Sequence, residues 1–338
     1  MSTTSYAPKA GAGSPLAVWQ ALARLQGRIP LVQLIALAAV FAYGAATLPG
    51  LASWESIKGI LVFASLVGLA STGQTLLILM GGFDLSISGF IVASALTVTT
   101  LKAKWGLPFG VALLIAVVAA GVLGALAGNI CHRFKIQPLI VTLAVGAIAV
   151  GLVQSQTGGL LAGSTPPWLA RLASPGTDTL GVDVPPMVAI WALVAVLMGL
   201  FLHRTVAGRR IFATGANPGA AEHALINTRR VWTAAFAFSA IASVFVGLLV
   251  GGFAGSVDST VGDPYLFQSV VAVIVGGTVF GGPGDYTRTV VGALFITVVN
   301  VVAVGHGAGA ADQQIIYGVA ILLAVTLYGR ERRLRDRI

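Results

Sequence analysis

The chain is short of charge: 9% of its 338 residues are charged, against about 25% in a soluble domain. A water-facing exterior cannot be built from so few. Cysteine occurs once, as Cys131, which excludes an internal disulfide and leaves no metal-ligand spacing. Cys131 reads as a small packing residue at a helix end. The G-x-x-x-x-G-K-S/T phosphate loop is missing, and Gly282-Pro283-Gly284 lacks the strand, helix and further glycine of a dinucleotide site. ATP-hydrolysing chemistry is therefore not expected in this chain. No nucleophile, base and orienter combine into a catalytic set, which argues against an enzyme. The net charge is +9, yet the basic residues form no contiguous patch and accompany no nucleic-acid motif, so nucleic acid is not an expected partner.

What the chain has is apolar length, 57% of it hydrophobic. Uncharged stretches run over 29–54, 59–83, 85–101, 105–132, 136–170, 184–203, 231–257, 264–284, 289–311 and 313–329. About 20 apolar residues cross a bilayer as a helix. Because these runs are continuous rather than alternating, they predict helices and not barrel strands. The expected fold is an all-α, polytopic transmembrane bundle in contact with lipid, with about ten spans (eight to ten) near 30–47, 59–80, 87–101, 108–130, 138–156, 187–203, 231–254, 266–281, 289–305 and 313–328. With ten crossings, all of the 20 basic residues except Lys58, Lys102, Lys104 and Arg171 fall in inner segments. The excess of inner positive charge puts both termini in the cytoplasm.

Residues 1–29 are expected to form a partly disordered cytoplasmic segment with a short surface helix over 15–26. The first apolar run is too long for a signal h-region and reads as a retained helix. Residues 30–328 form one membrane domain, with an outer loop over about 157–185 and an inner loop over about 204–230, followed by a basic tail over 329–338.

Glycines interrupt the apolar pattern twice. Gly81 and Gly82, followed by Asp84, separate the second and third spans, while Gly276, Gly277, Gly281, Gly282 and Gly284 follow the eighth. The two breaks are a faint internal echo, either a repeat of the kind common in transporters or two independent helix ends. A carboxylate at membrane depth is costly, so Asp84 either caps the third helix or lines a path or inner gate with Ser86. Gln74, Thr75, Gln154, Gln156, Asn300, Gln313 and Gln314 suit either a water-filled path or hydrogen bonds between helices. In the inner loop, Asn217 and Pro218 predict a helix start. That helix is expected to run to about Ile226, with Ala220, Ala221, Ala224 and Leu225 on one small apolar face, either as an interfacial loop helix or as a docking element.

The inner loop resembles that of sugar-type (ribose/xylose-like) ABC transporter permeases, the binding-protein-dependent inner-membrane components whose motif is approximately G-x-N-x-x-A-A-x-x-S-G-I. Gly215, Asn217, Ala220, Ala221 and Ile226 match, with Ala224-Leu225 in place of S-G. Gly73-Gln74-Thr75 with Gly81 to Ser86 is similar to the family's G-Q-T and G-G-I-D-L-S. The stretches Val275 to Gly284 and Gly292-Ala293, with Asn300 and Gln314, are similar to its later motifs, so the likeness spans about 58–328. One departure stands ahead of the eighth span, where Pro264 to Gln268 replaces a segment with two carboxylates.

The resemblance implies a permease of a bacterial inner membrane, importing a pentose or related sugar by alternating access. Its implied partners are a cytoplasmic ABC ATPase carrying ATP and Mg, a periplasmic substrate-binding protein and a second copy of the permease. It assigns Gly215, Asn217, Ala220, Ala221, Glu222 and Ile226 to ATPase coupling, and Gln74, Thr75, Asp84, Ser86, Asn300 and Gln314 to the path or gate. Branched-chain amino acids or nucleosides are the alternative cargo. An ion-driven secondary transporter is a further alternative, but it would call for paired acids at membrane depth, where only Asp84 is a candidate.

Overall fold

The computed structural model describes residues 26, 30–157, 165–255 and 257–335, and thirteen helices are named among them. Ten are apolar: α1 (Leu31–Thr47), α2 (Trp54–Leu79), α3 (Ile87–Trp105), α4 (Phe109–Phe134), α5 (Pro138–Thr157), α7 (Pro186–Arg204), α10 (Thr228–Ala254), α11 (Asp263–Val275), α12 (Tyr286–Gly305) and α13 (Ala310–Arg335). The shorter α6 (Pro167–Ala173), α8 (Val206–Ala216) and α9 (Pro218–His223) lie in the loops. Among the described residues, α2, α4, α5, α7, α10 and α12 are the 6 helices long and apolar enough to cross a membrane, and α1, α3, α11 and α13 supply shorter apolar segments. The chain is all-helical where described, apart from one bridge between Thr179 and Val182.

Every expected apolar run falls on a helix, and the boundaries that shift most are three. The second helix begins earlier, at Trp54, because Ser53 caps it and Lys58 finds acidic partners, so its charges need not lie outside. The eighth ends at Val275 rather than near 281, where Gly277 turns left-handed at φ 99°. The last continues through the basic tail to Arg335, since charged residues such as Glu and Arg are good helix formers. The short surface helix over 15–26, apart from Gln26, lies outside the described residues, as do 158–164 of the outer loop and 336–338 of the tail.

The centre of the bundle is α2, with 89% of its apolar window buried, whereas α4, α5 and α7 bury only 22–28% of theirs and form the periphery. Its sequence explains the position. Ser65, Gly68, Ser71, Thr72, Gly73 and Thr75 present small or hydroxyl side chains, which let neighbouring helices approach closely and hydrogen-bond. Thr75 Oγ1 lies 2.8 Å from Thr289 Oγ1 of α12. The Tyr286 hydroxyl donates to the Gly68 carbonyl at 2.7 Å, accepts from Trp191 Nε1 of α7 at 3.2 Å and lies 3.2 Å from Thr72 Oγ1. On the other side, Gly124 and Gly128 bring α4 against the α10 backbone, where an added Cβ would meet the Phe236 and Trp232 carbonyl oxygens at 2.6 and 2.8 Å.

The helices alternate in direction and give the bundle two unlike ends. One end gathers the starts of α2, α11 and α13 with the ends of α10 and α12. The other gathers the end of α2, the starts of α10 and α12, and the basic loop around α8 and α9. At the first end, buried Lys58 pairs with Glu55 at 2.9 Å and Asp183 at 2.8 Å, and Trp54 Nε1 donates to Asp183 at 2.5 Å. This cluster ties the segment before α7 to the start of α2.

Two outcomes are expected. Tyr286→Phe leaves the buried Trp191 N–H without its acceptor and removes one donor from the Gly68 carbonyl, and should cost about 1–2 kcal/mol, read as a lower melting temperature in detergent against Tyr43→Phe. Hydrogen bonds from Lys58 and Trp54 hold the Asp183 carboxyl below its ordinary range. Its contribution is therefore complete above the ordinary carboxylate pKa of about 3.9 and is lost as pH falls through the lowered value. Melting temperatures of native protein and Asp183→Asn should differ at neutral pH and converge under acid; a gap that persists below the lowered value would contradict this.

Candidate functional site

Two helices end against each other, and both end alike. At the C-terminus of α2, Gly81 N donates to the Ile78 carbonyl at 2.9 Å and Gly82 N to that of Leu77 at 2.8 Å, with Gly81 at φ 82°. At the C-terminus of α11, Gly277 N donates to Ile274 at 2.9 Å and Thr278 N to Val273 at 3.2 Å. Each pair of bonds is a Schellman cap, whose left-handed position glycine fills without a Cβ penalty. The two ends also touch. Gly281 N donates to the Ile78 carbonyl at 2.9 Å, and the Phe83 and Phe280 rings pack at a tilt of 56° with their centroids 4.3 Å apart. The echo between Gly81-Gly82 and Gly276-Gly277 is thus a repeated cap joined face to face.

Beyond Gly82 the chain turns back along α2. Asp84 N donates to Gln74 Oε1 at 3.1 Å, Leu85 N to Thr142 Oγ1 of α5 at 3.0 Å, and Ser86 N to Asp84 Oδ1 at 2.8 Å. The Ser86 hydroxyl donates to the same carboxylate oxygen. Asp84 is fully buried, and Ser239 of α10 borders it, yet Asp84 Oδ2, Gln74 Nε2 and Ser239 Oγ complete no hydrogen bond. Asp84 therefore forms a turn with the residue ahead of α3 and is not bonded to the first amides of that helix.

At the basic end, Asn217 Oδ1 accepts from Ala220 N at 3.0 Å and Pro218 opens α9, as the residue types predict. The helix stops at His223 and not near Ile226, because Leu225 is left-handed at φ 61° and Ile226 N closes on the Ala221 carbonyl at 3.0 Å. Leu225 stands where the resembling motif has glycine, a placement that costs a non-glycine residue roughly 1–2 kcal/mol, and its side chain is 94% exposed. The expected apolar face is divided: Ala220, Ala224 and Leu225 point outward, while Ala221 is buried. Glu222 accepts from the Thr228 hydroxyl at 2.7 Å, which leaves that hydroxyl to accept from His132 Nε2 at 2.9 Å. The hydrogen bond holds the Glu222 carboxyl below its ordinary range. Gly215 rests on the end of α2, where a Cβ would overlap the Leu79 carbonyl oxygen. The basic loop thus bears directly on the first helix break.

At the opposite end lies a cavity of about 420 Å³ among α2, α10, α11, α12 and α13. Gln268, Thr297, Asn300 and Gln313 supply its polar lining, and no charged side chain lines it among the described residues. Gln268 Nε2 donates to the Tyr317 hydroxyl at 2.6 Å, while Thr297 Oγ1 and Asn300 Oδ1 have no partner. Pro264 and Tyr265 place the start of α11 in the cavity wall. A Cβ at the preceding Gly262 would overlap the Ser88 carbonyl, so the first turns of α3 and α11 meet within the bundle.

Of the residues singled out for a path, Gln74, Asp84 and Ser86 come together in the buried turn, and Thr75 is bonded to Thr289. Asn300 lies apart from them in the cavity, and Gln314 faces outward, its neighbour Gln313 taking the inward position. Thr297 escaped notice in the sequence and Gln268 was named only within the segment that departs from the resembling family, although polar residues on otherwise apolar helices are the signal that marks both.

Gly215→Ala is expected to displace α8 and lower the melting temperature by several degrees, roughly 1–3 kcal/mol of overpacking. Gly219→Ala, whose Cβ meets nothing closer than 3.5 Å, should be silent. Equal effects at both positions would contradict the seating of α8 on α2.

Residues 56–325 match the family described as branched-chain amino acid transport system / permease component. The chain is 31% identical over 255 residues to the ribose import permease protein RbsC of Haemophilus influenzae, covering 75% of this chain and 78% of that protein. It is 29% identical over 293 residues to the probable ABC transporter permease protein y4mJ of Sinorhizobium fredii, covering 84% and 85%. With the autoinducer 2 import system permease protein LsrD of Escherichia coli it shares 27% over 237 residues, 68% of this chain and 70% of the relative. No solved structure matches. With six apolar helices long enough to span a bilayer and a family match over most of its length, the chain is a multi-pass membrane protein and belongs to this family of transport-system permease components, alongside the sugar-type ABC permeases it is similar to.

Proposed function

We propose that the chain is the membrane-spanning subunit of an ATP-driven importer of a bacterial inner membrane, moving a sugar, a pentose or a related compound, by alternating access. In this reading the ten apolar helices are ten spans, the basic end and both termini are cytoplasmic, and the cavity opens toward the periplasm. The observation that carries it is the pairing of a cavity at one end with a loop seated on a helix break at the other. The cavity lining suits a neutral polyhydroxyl compound: unpaired Thr297 and Asn300 oxygens and the Gln268 and Gln313 amides offer hydrogen bonds, with no fixed charge. The same lining weighs against a zwitterionic amino acid, the cargo named in the family description.

The loop would take the thrust of a separate cytoplasmic ATPase that holds ATP and Mg. Ala220, Glu222 and the exposed Leu225 offer the contact surface. Gly215 and Asn217 hold its shape, and Ala221 and Ile226 close it from inside. Pressure there reaches Leu79 through Gly215, and then the joined breaks at Ile78 and Gly281. Gln74, Thr75, Asp84 and Ser86 serve as the hydrogen-bonded frame of that gate, and Asn300 as part of the substrate cavity. A periplasmic binding protein delivers the sugar, and a second copy of this permease completes the path, one ATPase meeting each loop about a shared two-fold axis.

The experiment is uptake by proteoliposomes holding the permease, its ATPase and its binding protein, with labelled pentose against labelled leucine. Leu225→Asp and Ala220→Trp should lower ATP-driven uptake by about tenfold or more, as loss of an interface anchor does. Asn300→Ala with Thr297→Val should raise the half-saturating sugar concentration about tenfold. Uptake of leucine instead of pentose would overturn the cargo, and uptake by the permease alone, without any ATPase, would replace the importer by an ion-driven carrier.

A further inference from the structure

At the basic end, a second and larger cavity, about 830 Å³, runs as a groove between α7, α8 and α10. Its walls are apolar, with Leu197 and Phe201 from α7 and Ala234 and Phe238 from α10, and its lining includes two guanidinium groups, Arg210 and Arg230. Leu193, Leu197 and Leu200 of α7 are exposed, so the groove adjoins a face that a lipid bilayer would cover. No hydrogen bond or ion pair occupies the Arg210 or Arg230 side chain among the described residues, and no acidic residue lines the groove.

Two free cations beside an apolar trough match one kind of molecule. A soluble anion would use the arginines and leave the trough wet; a neutral lipid would fill the trough and leave the charges unmet. We propose that the groove binds one anionic phospholipid, its phosphate held by Arg210 and Arg230 and an acyl chain lying along Leu197, Ala234 and Phe238. Basic pockets between membrane helices hold anionic head groups in this way. Because Leu225 and Asn227 of the α9–α10 connection also line the groove, the lipid packs against the loop bearing on α2 and steadies its position.

Lipid binding in this groove is separable from transport. Native mass spectrometry of the delipidated full-length permease, titrated with phosphatidylglycerol or phosphatidylcholine of equal chain length, reads it directly. The unaltered protein should retain phosphatidylglycerol in strong preference. Arg210→Gln and Arg230→Gln should each erode that preference roughly fivefold, the attraction of one basic residue to an anionic lipid, without changing phosphatidylcholine occupancy. Ala234→Trp, which fills the trough, should reduce retention of both lipids. Equal retention of the two lipids by unaltered protein would overturn the proposal without need of any variant. Displacement of the lipid by millimolar inorganic phosphate would assign the arginines to a soluble anion, and displacement by the cognate ATPase would assign the groove to that protein; either result overturns it as well.

Discussion

Everything in this bundle follows from one demand: a backbone N–H or C=O inside a bilayer must find its partner within the protein. Helices meet the demand along their length and fail at their ends, and α2 and α11 end against each other, with Gly82, Gly276 and Gly277 buried. The answer is a Schellman cap at each, with Gly81 and Gly277 in the left-handed position. The Ile78 carbonyl accepts from its own cap and from Gly281 across the bundle. The next amides are met by side chains instead: Gln74 serves Asp84, Thr142 serves Leu85 and Asp84 serves Ser86. Those polar residues are held in the core by the broken backbone they repair.

The order of the apolar helices was legible because apolar runs are long and charges rare. Their ends were less so. Charge was read as a boundary, yet Lys58 sits buried within α2 because Glu55 and Asp183 neutralise it, a pairing that links residues far apart in the chain. The glycine breaks were visible as glycines, but their mutual contact through Gly281 and Ile78 depends on tertiary placement that an isolated sequence does not carry. Which residue of a polar pair faces inward was equally hidden. Gln313 lines the cavity while Gln314 faces out, and in α9 the buried residue is Ala221 while Ala220 is exposed. A six-residue helix is too short for periodicity to fix its orientation.

Seen together, the basic loop and the helix breaks form a continuous line of backbone contact. Leu225 and Ile226 close α9 onto Glu222 and Ala221, Asn217 joins α9 to α8, Gly215 rests on Leu79, and Ile78 meets Gly281. Most of these contacts are made by backbone atoms, with glycine wherever a Cβ would push the chains apart. The exception is Leu225, which accepts a left-handed conformation and presents a large apolar side chain to the exterior. Backbone strain of this sort persists only where the surrounding structure fixes it.

The Tyr286 hydroxyl bears on how such a structure deforms. It engages α2 at Gly68 and Thr72 and α7 at Trp191 from its seat on α12. Three helices pinned at one oxygen have lost their freedom to slide past one another and behave as a single stave. The cavity wall opposite is fastened across α11 and α13 by the Gln268 to Tyr317 hydrogen bond. A push on any one of the three therefore moves the other two with it, and α11 and α13 likewise move as a pair.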